Sequence, residues 1–234
     1  MAKSNSILGL QGTIDKLTMV RSRAYGDHVR SARGTQGEAP INESLKKEVA
    51  VITRSNRPAK ILKDAIDPHR GALKGGQFWQ KLVSTFRTQF NESGAFDFSN
   101  LPAIEIHKKY PLSRFISVKP EVNFDKRAHN LTVKVAYGTH PSFKKSKYID
   151  GYRISVIGIF PDLKKGKVKS EEVFSDVIAL TAKYAPITVN VPVPQKAKCY
   201  VLCLKVEGCV KGKENNTPAT MGMMLFNTGK IGKG

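Results

Sequence analysis

Acidic residues are scarce in this chain. Nineteen Asp and Glu stand against 39 Lys and Arg in 234 residues, a formal net charge of +20. A charge so far from zero repels itself unless something acidic lies nearby, so a polyanionic neighbour is the economical explanation. The excess is spread out: residues 1–100 hold 16 basic and 9 acidic residues, and residues 101–234 hold 23 and 10. That distribution argues against a basic arm on a neutral domain and for several surfaces that meet acidic subunits or nucleic acid.

Cysteine is also rare. Cys199, Cys203 and Cys209 fall within eleven residues without a CxxC pair, which excludes a disulfide framework from the expectation. No apolar run approaches the roughly 18 residues that a membrane span needs. Ile7 to Leu10 is too short for a signal-peptide core, so the chain is expected to be made in the cytoplasm, with incorporation into a virion as its further destination. No membrane partner is expected.

Catalytic motifs are missing as well. There is no GxSxG elbow, Walker loop, GxGxxG after a strand or HExxH helix. His28, His69, His107, His129 and His140 each stand without a second ligand at metal spacing. Glu171 and Glu172 read as a solvated pair in a polar turn, and Gly71 to Gly76 as a turn between helices. The expectation is a protein that is not an enzyme and uses neither metal nor cofactor.

What is present is pattern. Residues 6–33 read as short strands, with Arg21, Arg23, Arg30 and Arg33 flanking a hairpin turn at Tyr25-Gly26-Asp27. After a linker at Gly34 to Pro40, Asn42 caps a helix with Leu45, Val49 and Ile52 on one face. Pro58 is expected to open a second helix, with Ile61, Leu62, Ala65 and Ile66 inward and Asp67-Pro68 as its end. A third carries Phe78, Leu82, Phe86 and Phe90 at every fourth residue, a core stripe.

From Phe115 the period changes to two. Leu131, Val133, Val135 and Tyr137 alternate with polar residues, as do Tyr152, Ile154 and Val156, and Tyr200, Leu202, Leu204 and Val206. Half-buried strands with one wet face are expected. Pro192 and Pro194 place the Ile187 strand at an edge or take it out of the sheet there, because proline cannot donate to a central ladder. The fold class is therefore α+β, mainly β: a strand and helix region over residues 1–100, then an antiparallel immunoglobulin-like β-sandwich over residues 101–234.

The lysine clusters complete the candidate surface. Lys144, Lys145 and Lys147 share one loop, and Lys164, Lys165 and Lys167 the next, with Lys169 close behind. With the four hairpin arginines they are the residues expected to meet phosphates or carboxylates. Partners would be other copies, other virion proteins, or DNA or RNA through the backbone phosphates.

The order of elements, a glycine-punctuated meander from Ile7-Leu8-Gly9 through Val29-Arg30-Ser31, a helix pair and a sandwich ending in a short strand, resembles a family of uncharacterised basic proteins of Bacteroidetes and their phages. The resemblance implies a layout and a phage context. Strand-rich architecture, distributed charge and the absence of catalytic motifs make a non-enzymatic virion component such as a connector, ring or head-associated protein the first expectation. It carries over no functional residue. This chain departs from the family at Gly34-Thr35-Gln36-Gly37, where a Thr-Pro-rich helix start is the pattern. A soluble nucleic-acid-binding protein is the alternative that composition supports.

Overall fold

A computed structural model describes residues 2–3, 12–22, 26–31, 42–75, 77–143, 148–163, 166–183 and 185–231. The chain divides into two compact units, Met1–Glu48 and Val49–Gly234. The first holds an antiparallel sheet of β1 (Ala2–Lys3), β2 (Gly12–Ile14), β3 (Leu17–Ser22) and β4 (Gly26–Ser31) in the order β1-β4-β3-β2. Asp15 turns β2 into β3 with φ at 52°, a left-handed conformation that a short polar side chain tolerates. Arg21 stands opposite Asp27 in the β3–β4 pairing, so Gly26 and Asp27, expected in the turn, belong to β4 instead.

The helix α1 runs from Glu43 to Ile66. Asn42 caps it as the sequence suggested, its Oδ1 accepting the Leu45 N–H at 2.8 Å. Pro58 does not start a second helix but lies inside this one. The reason is the apolar face: Ser55, Pro58, Ala59, Leu62, Ala65 and Ile66 are all buried, at spacings that keep one stripe continuous through the proline. Burial of that stripe outweighs the missing N–H.

The other elements of the second unit are α2 (Gln77–Ser93), β5 (Ile104–Glu105), β6 (Val118–Asp125), β7 (Asn130–Tyr137), β8 (Gly151–Asp162), β9 (Lys167–Phe174), β10 (Ile178–Ala179), β11 (Ile187–Pro192), β12 (Cys199–Val210), β13 (Lys213–Glu214) and β14 (Met221–Lys230). They make two antiparallel sheets. The larger has the order β10-β8-β12-β14-β5, with β9 also on β8 and β13 also on β12; the smaller is β11-β7-β6. The architecture is thus mainly β with an α+β mixture.

Two cores result, one on each face of the large sheet. Ile157 and Ile159 of β8 and Val201 and Cys203 of β12 pack with Leu62, Ile66, Phe78, Leu82 and Phe86 of the helices. Their strand neighbours Ile154, Val156, Leu202 and Leu204 pack instead with Leu131, Val133, Val135 and Val191 of the small sheet. β8 and β12 are therefore covered on both sides, and the expectation of one wet face fails for them; β6, with alternate residues exposed, keeps it. The helices share a core with the large sheet, and the compact units part between Glu48 and Val49. Among the described residues β11 pairs with β7 alone, the edge position that Pro192 requires.

Candidate functional site

At one end of the large sheet, four segments line a half-open cavity of about 620 Å³. The end of β8 contributes Phe160, Pro161, Asp162 and Leu163, and the start of β9 contributes Lys167, Val168 and Lys169. The β8–β9 register pairs Asp162 with Lys167 and Phe160 with Lys169. Gly166, at φ 61°, supplies the left-handed residue that closes this hairpin.

The third wall is the turn from β11 to β12, Pro194 to Cys199, where the Ala197 N–H donates to the Pro194 carbonyl at 2.9 Å. The fourth is Phe96-Asp97-Phe98 after α2. That loop is fixed by Gln89, whose amide nitrogen donates to the Asp97 carbonyl at 2.7 Å while its oxygen accepts the Asp97 N–H at 2.8 Å. Phe98 meets Phe86 edge-on at 5.4 Å, and Phe96 stacks on Phe90 at 5.1 Å. The floor is thus apolar and built on the helical core.

The rim is cationic. Lys167, Lys169, Lys196 and Lys198 line the cavity and are exposed. Asp97 and Asp162 oppose them. Burial pushes the Asp97 carboxyl up, but the Ser99 hydroxyl and amide and the Lys230 ammonium outweigh it and hold the group below the usual carboxylate range. The Cys199 thiol is pushed up to about 11 by burial and by the charges of Asp97 and Asp162, which keeps it protonated and a poor nucleophile. The arrangement suits binding of an anionic group attached to an apolar one.

A second polar constellation lies on the helix-facing side of the large sheet. The His69 imidazole, just after α1, meets Glu172 Oε2 through Nδ1 at 2.6 Å and Ser170 Oγ through Nε2 at 3.3 Å. Glu172 Oε1 accepts from Ser155 Oγ at 2.8 Å and from Lys205 Nζ at 3.3 Å, and Lys205 reaches Glu207 at 3.0 Å. His69 is therefore not a lone turn residue and Glu172 is not half of a solvated pair: both side chains are largely withdrawn from solvent, at 15% and 12% exposure, whereas Glu171 is exposed. Hydroxyl, imidazole and carboxylate follow one another in the order of a hydrolytic triad. Glu172, however, is already shared with an ammonium and a second hydroxyl, so the carboxylate charge is spent on the fold. The constellation ties the end of α1 to three strands.

Gly71 to Gly75 lie between α1 and α2, and the buried Arg70 guanidinium donates there to the Leu73 and Gly75 carbonyls at 2.8 and 3.2 Å. Among the described residues, no three His, Cys, Asp or Glu side chains are grouped to hold a metal ion. No described helix is long and apolar enough to cross a membrane.

Of the ten basic residues expected to bind, the structure brings Lys167 to the cavity. Arg30 is exposed on β4, opposite Thr18, and Arg21 lies on β3. Arg23, Arg33, Lys144, Lys145, Lys147, Lys164 and Lys165 lie outside the described residues. Sequence reasoning passed over Lys196 and Lys198, and the aromatic floor under them. Their signal was an alternating Lys-Ala-Lys between Pro194 and the β12 run, the same alternation that Lys167-Val168-Lys169 shows. No family model, no curated protein and no solved structure matches this chain.

Proposed function

We propose that this chain is a non-enzymatic structural protein of an assembly, setting basic surfaces against acidic subunits or nucleic acid. The observation that carries the reading is the convergence of Lys167, Lys169, Lys196 and Lys198 on one cavity, from two segments far apart in sequence. Four ammonium groups on a shared rim attract carboxylates or phosphates far better than the same lysines scattered. The resemblance in element order adds the context, a phage virion and within it a connector, ring or head-associated role.

The proposal includes the architecture of the β region. With β6, β7 and β11 on one sheet and β9, β8, β12 and β14 on the other, the strand order supports an immunoglobulin-like or fibronectin-like sandwich. Such sandwiches serve as packing modules in many assemblies, so the fold leaves the function to the surfaces.

Native mass spectrometry, with and without oligothymidylate and polyglutamate, tests the reading. Oligomers or complexes that dissociate as salt rises are the expected result. A monomer that takes up neither polymer at low salt overturns it.

A further inference from the structure

Among the described residues, β9 pairs only with β8, so its outer edge carries backbone N–H and C=O groups with no ladder partner. β11, the edge of the small sheet, approaches β9 to within 8 Å between Cα atoms. Between the two edges runs a groove of about 520 Å³, with Val168 and Ser170 on one bank and Pro192, Val193 and Pro194 on the other. It shares Phe160, Val168, Lys169 and Pro194 with the lysine-rimmed cavity, so the two form one continuous depression.

The two banks are chemically unequal. Pro192 and Pro194 have no N–H to offer, so an incoming strand finds its main-chain partners on β9. Its side chains alternate in direction, and one that points inward meets the apolar floor of Phe160 and Phe98, which are themselves buried. Aromatic rings sunk in a floor accept an apolar anchor; they do not stand out as a platform for nucleic-acid bases.

Charge selects the occupant. Lysine on an open edge prevents edge-to-edge pairing of identical chains, because two such edges would set ammonium against ammonium. Lys167 and Lys169 do that here, and Lys196 and Lys198 strengthen it from across the cavity. The same lysines welcome a strand that carries carboxylates. Asp97 is matched by Ser99 and Lys230, and Asp162 stands opposite Lys167 in the β8–β9 register, so four lysines on the rim face two carboxylates and a cationic excess remains. Glu171, exposed farther along β9, restricts the acidic part of the guest to the Lys167–Lys169 end.

We propose that the open edge of β9 and the adjoining cavity take up an extended segment of a partner protein, acidic and carrying an aromatic or aliphatic anchor, as an added strand. This rests on the reading of the chain as a basic assembly protein, and it selects protein over nucleic acid as the guest at this site.

The probe is a fluorescein-labelled octapeptide in which Glu alternates with Phe and Val, titrated by fluorescence anisotropy against the full chain. Binding should weaken at least about tenfold in the Lys167→Glu/Lys169→Glu variant, and remain in a Lys119→Glu/Lys134→Glu variant on the small sheet. The same peptide with alternate amides N-methylated should lose about as much on the unaltered protein, which separates edge pairing from any folding defect of a variant. Equal binding of the N-methylated peptide, of a Lys-for-Glu peptide, or of the peptide to the Lys167→Glu/Lys169→Glu variant overturns the proposal. If the protein binds oligothymidylate or polyglutamate but not the octapeptide, this inference falls and the assembly reading stands. If it binds none of them, both fall.

Discussion

Gly158 and Val191 meet across the gap between the two sheets at a separation that leaves no room for a side chain: a β-carbon at residue 158 would stand 2.5 Å from Val191 Cγ1. Val191 is fully buried, so it has nowhere to retreat. The Gly158→Ala variant should lose about 1–3 kcal/mol of stability from overpacking, measured by urea unfolding. Pairing it with Val191→Ala should recover part of that loss in a double-mutant cycle, because the second change vacates the contested space. Strict additivity of the two losses would show that the sheets do not touch there.

Lys205 is the cation of the buried constellation, placed between Glu172 and Glu207. Replacing it by Met removes the ammonium and leaves two carboxylates facing each other with little solvent. A loss of about 3–5 kcal/mol is expected for breaking a buried pair on one side. Adding Glu207→Gln to Lys205→Met should restore part of it, since Glu207 no longer has to carry charge. Burial already pushes the Glu207 carboxyl upward against the pull of Lys205.

These polar residues explain how far the sequence could be read. The alternation of Tyr152, Ile154 and Val156 located β8, and that of Leu202, Leu204 and Val206 located β12, so both strands were legible. Their second faces looked wet because Ser155, Lys205 and Glu207 are polar. No periodicity reveals that these groups satisfy one another through Glu172 and His69, which come from distant segments. Pro192 marked an edge strand because its chemistry there is local, whereas Pro58 misled because burial of Leu62 and Ile66 overrides a local rule. Lys167 was visible as part of a lysine run. Its association with Lys196 and Lys198 depends on hairpin closure at Gly166 and could not be read from one run.

Acid should unfold this protein partly through Glu172. Burial raises its carboxyl, but His69, Lys205 and Ser155 together outweigh that and hold it below its unfolded value of 4.5. A depressed carboxylate contributes stability that is complete above the unfolded value and is lost as pH falls through the folded one. Glu207, shifted the other way, contributes stability that is present at low pH and lost as pH rises through its folded value. Thermal melts of Glu172→Gln should therefore show a lower midpoint near neutral pH and a shallower fall below the unfolded value than the unaltered chain. Parallel curves would mean that Glu172 does not titrate with folding.

Pro58 leaves the Arg54 carbonyl without its helical N–H partner, at a point where the Ser55 hydroxyl already donates back to the Val51 carbonyl at 2.8 Å. Pro58→Ala restores that bond and keeps a small apolar side chain on the buried face. The helix-interior penalty of proline is about 3 kcal/mol, and the lost ring contacts subtract from its recovery. A net rise in stability of about 1 kcal/mol is expected by urea unfolding. A fall would show that the ring's packing outweighs the broken hydrogen bond.

The first turns of α1 carry an exposed apolar stripe. Leu45, Val49 and Ile52 recur at helical spacing and are 53%, 56% and 37% exposed. An apolar stripe of this kind on a soluble helix is a surface that gains free energy when covered. Replacing all three by Gln keeps good helix formers and, at exposed positions, should change unfolding stability by no more than about 1 kcal/mol. Light scattering after size exclusion should then report a lower mass for the triple variant than for the unaltered chain at equal concentration. The octapeptide should bind both equally, because β9 and its cavity are untouched by the change. Unchanged mass would exclude this face as a contact between copies of the chain.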